Sequence, residues 1–371
     1  MIIREANFND EESVIELWGR NGLSSDPSKN NWNWLWRENP AYFEEWPLGW
    51  VLEKNNQIVG YLGNVPLQYC INGKNISVAC ARGYVVDPEA RSHSLKIATS
   101  FFSQKQADLL IISSANELSA KVYKMFRALP LPIDSFNDSL YWIVESRGFI
   151  RSALIKYLGF TKLFSSIFSI CIAPFLSVWL RIRGQVNLHL YKDWKGQVKS
   201  MSVVEINEMF DQLWEIRKIE LSNTLLGVRN SKIIRWHYDR MNTKSDKKTI
   251  ILTAIKNDKL LGYLILDRED SHSIDLKRYR ISDLFVLMDE EVVIHVLLEK
   301  AIEFAKEERV HLVDTMGFPK YIQDCFLSTT PFHRNNSVPL FWYYTNDKKL
   351  AEELLRPDSW YPTPFDGDSS L

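Results

Sequence analysis

The feature that most constrains this chain is that it resembles itself. At a period of roughly 200 residues, four blocks recur in one order. Lys54-Asn-Asn-Gln-Ile-Val-Gly-Tyr-Leu62 reads like Lys256-Asn-Asp-Lys-Leu-Leu-Gly-Tyr-Leu264. Trp34-Leu-Trp36-Arg-Glu-Asn39 corresponds to the region from Ile234 through Trp236 to Asn242. Tyr84-Val-Val-Asp87 matches Phe285-Val-Leu-Met288, and Asp108 to Ser114 matches Arg309 to Thr315. One such match arises by chance, but four at a near-constant offset predict a duplicated unit.

Each copy shows the same order of elements. An amphipathic helix (Glu11 to Gly19; Val204 to Leu221) precedes a hairpin, whose Asn-Asn or Asn-Asp dipeptide sits between two β-rich runs. A strand follows, then a helix (Arg91 to Gln106; Glu290 to Glu307) and a second, buried strand. This alternation predicts an α/β chain of two tandem mixed α/β domains, spanning 1–145 and 198–371, joined by a linker at 146–197. The 371 residues suit two domains of ordinary size, and 46% hydrophobic against 25% charged residues argues against extended disorder.

Several chemistries are set aside by residue usage. Cys70, Cys80, Cys171 and Cys325 show no paired metal spacing and are too few for a disulfide framework. The histidines are scattered, with no H-E-x-x-H, so no metal is expected. The start, MIIREANFND, has no apolar h-region, so no signal peptide and a cytoplasmic location are expected.

The net charge of −1 hides an asymmetry. Between Ser146 and Ser200 stand Arg147, Arg151, Lys156, Lys162, Arg181, Arg183, Lys192, Lys195 and Lys199, against the single acid Asp193. Inside that stretch, Leu163 to Leu180 carries no charged side chain. Its length is at the lower edge of a membrane span, and Pro174 and four serines dilute it. A helical segment is expected, either packed between the domains or lying in an anionic headgroup interface, which makes an anionic membrane surface at 147–183 a possible partner.

Two runs in the first copy carry chemistry. Val86-Asp-Pro88-Glu-Ala-Arg91-Ser-His-Ser94-Leu-Lys96 follows a strand and opens a helix. Asn116-Glu-Leu-Ser-Ala120-Lys-Val-Tyr123 follows the next strand, with Asn116 and Tyr123 two helical turns apart on one face. Together they resemble the GNAT (N-acetyltransferase) superfamily, whose acyl-CoA loop reads roughly V-x-P-x-x-R-x-x-G-x-G/A and whose second motif reads N-x-x-A-x-x-x-Y. Ser94 and Lys96 stand where the loop has glycines. The resemblance implies a GNAT fold in both copies and an acyl-CoA co-substrate such as acetyl-CoA. It also implies cofactor contacts at Val85, Val86, Arg91, Ser92, His93, Ser94, Leu95, Lys96 and Asn116. Tyr123 would face the departing thiolate. A phenol of pKa ~10 can stabilise a thiolate of pKa ~8.5 without itself ionising at neutral pH.

The second copy lacks this chemistry. Met288-Asp289-Glu290-Glu291 places carboxylates where a pyrophosphate would lie, and Tyr321 only loosely echoes the second motif. Arg229-Asn-Ser-Lys-Ile-Ile-Arg235-Trp236-His237-Tyr238 resembles an R-[DN]-x-x-x-x-x-W-R-Y block of tandem GNAT proteins associated with bacterial surface-polysaccharide genes, with His237 in place of Arg. The tail Trp360 to Asp368 is similar to tails of that group. Trp36, Trp236, His237 and Tyr238 are therefore candidate acceptor contacts. The implied activity is acyl transfer from acyl-CoA to an amine such as an amino sugar, with no nucleic-acid partner. A tRNA-dependent aminoacyl transferase and a catalytically silent tandem that binds a glycan or lipid-linked precursor stay open. Glu53, Glu117 and His93 fall near the cleft in sequence, and none is ranked as a general base.

Overall fold

The computed structural model describes residues 1–23, 31–184, 194–242, 248–288, 290–368 and 370–371. Lys192 and Asp193 of the basic stretch, and Asp289 of the second loop, lie outside them. The first half runs β1 (Ile2–Glu5), α1 (Glu11–Arg20), β2 (Gly49–Lys54), β3 (Gln57–Ile71), β4 (Lys74–Val86), α2 (Ser94–Ser103), β5 (Leu109–Ile112), α3 (Glu117–Met125), β6 (Leu129–Pro130) and β7 (Ser139–Ile143). Two helices follow, α4 (Ser146–Leu158) and α5 (Lys162–Ile182). The second half then runs β8 (Gln197–Met201), α6 (Glu208–Glu220), β9 (Leu226–Gly227), α7 (Ser231–Asn242), β10 (Thr249–Lys256), β11 (Lys259–Arg268) and β12 (Arg278–Val286). It ends with α8 (Glu291–Glu307), β13 (Leu312–Met316), α9 (Lys320–Ser328), β14 (Phe332–Arg334), β15 (Trp342–Tyr344) and α10 (Lys348–Glu353).

The matched hairpins turn in the same way. Asn55 and Asn56 have φ of 50° and 62°, and Asn257 and Asp258 have 51° and 58°. Two left-handed central residues form the turn whose twist suits a two-residue hairpin, and Asn and Asp are the side chains that tolerate it best.

The strands form two sheets of matching order. The first is β1-β2-β3-β4-β5-β15-β6, and the second is β8-β10-β11-β12-β13-β7-β14. Each sheet thus receives its sixth strand from the other half. Ser139–Ile143 inserts between β13 and β14, with Val313 opposite Trp142. Trp342–Tyr344 inserts between β5 and β6, with Trp342 opposite Ile112. The side chains follow: Trp342 and Tyr343 join the first core, Leu140 and Trp142 the second. The expected boundaries, 1–145 and 198–371, therefore do not separate the sheets. Local pattern identifies 139–143 as an apolar strand but says nothing about which neighbour's ladder it completes.

The linker folds as a helical hairpin. Glu145 caps α4 through the Arg147 and Gly148 amides, Gly159 ends it in the left-handed conformation, and Thr161 caps α5, which runs on through Pro174.

A buried ionic cluster closes the seam between the halves. Arg229, with 0% exposure, binds Asp283 of β12 at 3.1 Å and Asp366 of the tail at 3.0 Å. Tyr69 of β3 donates to Asp366 at 2.8 Å, and Tyr263 donates to Asp283 at 3.0 Å. Burial works against each charge. The two carboxylates more than offset it at Arg229 and push the guanidinium's pKa up. At Asp366 burial prevails, holding the carboxyl above its ordinary range.

Candidate active site

β4 and β5 are parallel neighbours only over Val78–Cys80 and Leu109–Ile111. Beyond Cys80, β4 stays paired to β3 as far as Val86, while its other edge diverges from β5. The divergence begins at a bulge. Gly83 has φ of 62°, and a Cβ there would lie 2.3 Å from the Trp18 ring, whose indole donates to the Gly83 carbonyl at 3.0 Å. Only glycine fits this bend. The resulting V-shaped opening leaves β4 beyond Cys80 without a partner strand on that edge among the described residues.

Its rim is built by the two sequence motifs. Pro88–His93 form a 3-10 turn leading into α2 at Ser94. His93 occupies the cap position of α2 without a side-chain cap bond, and the Ser94 amide donates to the Arg91 carbonyl of the preceding 3-10 turn. Arg91, Ser92 and Lys96 are exposed here. Ser92 Oγ meets His93 Nδ1 at 3.0 Å, and Tyr84 donates its hydroxyl to the Ser94 carbonyl at 3.0 Å. The nearby acid, Asp87, is held by Arg20 (2.7 Å) and Asn21 (2.6 Å). Burial opposes its ionisation, but these bonds outweigh burial and keep the carboxyl below its ordinary range.

On the other wall, Asn116 caps α3: its Oδ1 accepts from the Leu118 and Ser119 amides at 3.0 Å. Its backbone N–H donates to Ser119 Oγ at 3.0 Å, which leaves the side-chain Nδ2 as the Asn116 group able to face a ligand. Tyr123 is 4% exposed. Burial pushes its phenol well above the ordinary tyrosine value, with the Ser119 hydroxyl pulling the other way. It is a protonated donor at any working pH.

The tail supplies the third wall, which the sequence did not place. Asp368 accepts from Ser113 Oγ at 2.8 Å and Ser114 Oγ at 2.9 Å, both at the end of β5. Buried Arg82 of β4 donates to the Asp368 and Leu371 carbonyls, each at 3.1 Å. His237 stacks on Phe365 with ring centres 4.3 Å apart, and its Nε2 meets Ser370 Oγ at 3.0 Å. The two blocks singled out in the second half, Arg229–Tyr238 and the tail, therefore meet each other and the first sheet.

Other candidates fall elsewhere. Trp36 and Tyr238 are completely buried, with the Trp36 indole bound to the Asn64 carbonyl, so neither presents a face to an acceptor. Trp236 stacks on Trp34. Glu53 lies at the far side of the sheet on β2, tied to Arg4 at 2.9 Å. Glu117 is exposed at the start of α3.

The second opening differs. β12 pairs β13 only over Arg278–Arg280. Tyr361 donates to the Leu284 carbonyl at 2.9 Å, and the Arg217 guanidinium lies 5.5 Å from the Phe285 ring centre and 5.6 Å from that of Tyr361. Tyr321 is not the counterpart of Tyr123: it accepts from Arg217 at 3.2 Å. In the nine-residue helices α3 and α9, Tyr123 and Phe326 hold the same seventh position, and Phe326 has no hydroxyl.

Glu291, His295 and Cys325 bring ligand atoms within 4.8 Å of one another, a grouping that spacing along the chain did not reveal because Cys325 comes from the next helix. Burial and Glu291 push the Cys325 thiol up to about 12, so it is a neutral donor to that carboxylate and a poor ligand as it stands.

No protein-family model and no curated protein matches the chain. Solved structures do match, each across 93% of it. A GCN5-related N-acetyltransferase from Anabaena variabilis is 12% identical, with 72% of that chain covered and a TM-score of 0.52. One from Kribbella flavida is 11% identical, with 71% covered and a TM-score of 0.57. A conserved protein of unknown function from Enterococcus faecalis, described as a probable N-acyltransferase, is 11% identical, with 72% covered and a TM-score of 0.55. At this identity the likeness is one of architecture. The chain has the fold of the GCN5-related N-acetyltransferases, as two mixed α/β sheets with helices.

Proposed function

We propose that the protein transfers an acyl group from an acyl-CoA, most simply acetyl-CoA, to an amine, at the opening of the first sheet. One observation carries the reading. The start of α2, which no side chain caps, the edge of β4 beyond Cys80, which no described strand pairs, and the buried phenol of Tyr123 flank a single V-shaped gap, and the second sheet reproduces the gap without the phenol. The α2 amides with Arg91 and Lys96 suit a pyrophosphate. Val85 and Val86 offer strand edge to the amides of the pantetheine arm, and Asn116 offers a side-chain N–H. The acceptor's ammonium would first shed a proton to solvent; Tyr123 would then donate its proton to the sulfur as the C–S bond breaks and the amine nitrogen bonds the acyl carbon, and the proton the nitrogen loses would restore the phenol through water. Asp368 lies where it would attract the ammonium of the acceptor. An amino sugar of a surface-polysaccharide precursor is the acceptor favoured by the likeness of the Arg229 block and the tail.

The test is calorimetry with CoA and acetyl-CoA, followed by a thiol-release assay over a panel of amines. Arg91→Glu should weaken CoA binding at least tenfold, since it exchanges an attractive charge at the phosphates for a repulsive one. Tyr123→Phe should lower kcat while leaving CoA affinity near that of the parent. Unchanged CoA binding by Arg91→Glu sinks the loop assignment. Failure of the parent protein to bind any CoA ester sinks the enzymatic reading in favour of a silent binding protein.

A further inference from the structure

Helix α5 is turned inside out for a water-soluble protein. Its inward face is small or polar over most of its length, with Ser165, Ser169 and Ala173 buried and Leu180 the one large apolar side chain among the buried positions. Its outward face is large and apolar, with Ile167, Ile170, Phe175, Val178 and Ile182 exposed, Phe175 at 77% and Ile182 at 79%. The helix is long and apolar enough to cross a membrane, yet little of it is buried and it lies in mid-chain. It is therefore neither a core helix nor a leader. A contiguous apolar surface of this kind marks a site that something covers.

We propose that the α4–α5 hairpin docks in the plane of an anionic lipid bilayer, with the outward face of α5 at the boundary of headgroups and acyl chains. Attachment to the fold argues for lying flat. Ser177 donates to Ser146 at the start of α4 at 2.9 Å. Trp179 packs on Phe332 of β14 with centres 5.7 Å apart, and Arg183 donates to the Pro331 carbonyl at 3.0 Å. A spanning orientation would tear these contacts away, whereas in-plane docking keeps them.

Charge identifies the occupant. Exposed cations stand at both ends of the apolar face, Lys162 and Arg181, with Lys156 at the end of the adjoining α4, and α5 itself carries no acid. Beside α4 opens a cavity of about 320 Å³ lined in part by Lys156 and Arg334, and by Arg278 and Arg280, which pair with Asp314 and Glu269. An apolar face with exposed cations at both ends matches a surface of acyl chains under anionic headgroups, the pattern of an interfacial helix. A second copy of the chain would bring the same cations against each other.

The test is flotation of the full chain with phosphatidylcholine vesicles and with vesicles enriched in phosphatidylglycerol. The parent should float with the anionic vesicles, and less so as salt rises. Lys162→Glu/Arg181→Glu should lower partitioning by about fivefold or more per charge. Phe175→Ser/Ile182→Ser should stay at the bottom with both vesicle types while keeping the parent's circular dichroism. A parent that does not float overturns the proposal. So does salt-insensitive recovery that is equal on neutral and anionic vesicles. A dimer that Phe175→Ser/Ile182→Ser converts to monomer, without flotation of the parent, assigns the face to a second copy instead. None of these readouts depends on binding of CoA.

Discussion

Trp34 and Trp236 each donate an indole N–H to the other's backbone carbonyl, both at 2.8 Å, and their rings stack with centres 5.2 Å apart. They stand 202 residues apart, the spacing of the repeat, so equivalent positions of the two copies meet each other. Residue i touching j while j touches i in the same way is the signature of a two-fold interface. Here it lies inside one chain, and the reciprocal exchange of β7 and β15 obeys the same symmetry.

Truncating either ring removes a buried stack and leaves a carbonyl without its donor. Trp34→Ala should cost about 3–5 kcal/mol of stability, as large aromatic-to-alanine changes in cores do. Trp236→Ala should cost a similar amount. The double variant should lose less than the sum, with a coupling of about 0.5–3 kcal/mol, because each single change already removes the whole ring stack while breaking only its own indole bond. Denaturant unfolding of the four proteins checks this, and additive losses would mean that the two rings act separately.

Strand exchange makes the two sheets interdependent. Unfolding the second half removes Trp342 and Tyr343 from the first core, and unfolding the first removes Leu140 and Trp142 from the second. Calorimetry should therefore show one cooperative transition rather than two. Trp342→Ala should raise hydrogen exchange first in β5 and β6, the strands it pairs with, although they lie far away in sequence. Two resolved transitions would show that the exchanged strands contribute little.

The repeat, the hairpins, the helices and the two motif runs could be read from sequence because each is local: a period, a turn dipeptide, a cap. The exchange could not, since Ser139–Ile143 and Trp342–Tyr344 look alike as short apolar strands whichever sheet receives them. The two carboxylates of the tail could not be told apart for a related reason: Asp366 is clamped by Arg229 and Tyr69, and Asp368 reaches the opening. Trp36 and Tyr238 look the same in sequence whether they line a cleft or fill a core. Burial depends on neighbours that no local window contains.

One carboxyl works against the fold at neutral pH. Asp267 of β11 is buried, and burial raises its pKa to about 6 despite bonds from Thr249 and Ser282. A folded pKa above the unfolded one means that the native state holds the proton more tightly. Its contribution is therefore complete below about pH 4 and lost as pH rises through 6. Asp267→Asn, which keeps the shape without the charge, should stabilise the protein by roughly 2–3 kcal/mol at pH 7 and flatten its stability profile between those values. Urea midpoints across the range test the sign. A variant less stable than the parent at pH 7 would show that the carboxylate is better solvated than its burial implies.

Asp366 and Asp368, two residues apart in the tail, should fail in different ways. Asp366 is completely enclosed with Arg229, so Asp366→Ala leaves a buried guanidinium short of one partner and should cost about 3–5 kcal/mol of stability. Asp368 is half-buried: Ser113 and Ser114 donate to its carboxylate, its own amide donates back to Ser113, and Arg82 donates to its carbonyl. A carboxylate at the mouth of a gap, held by hydroxyls rather than by a bidentate guanidinium, is suited to an incoming ammonium. Asp368→Asn keeps the serine contacts but removes the charge. It should leave the melting temperature and CoA affinity close to those of the parent while lowering kcat/KM for amines by roughly ten- to hundredfold, the worth of a hydrogen bond to a charged group. The loss should appear mainly in KM for the amine, because the attraction acts before the acyl transfer as well as during it. Comparing thiol release with melting temperature for both variants separates the roles. Unchanged kinetics with a lowered melting temperature in Asp368→Asn would make it a second clamp and leave acceptor recognition to other walls of the opening.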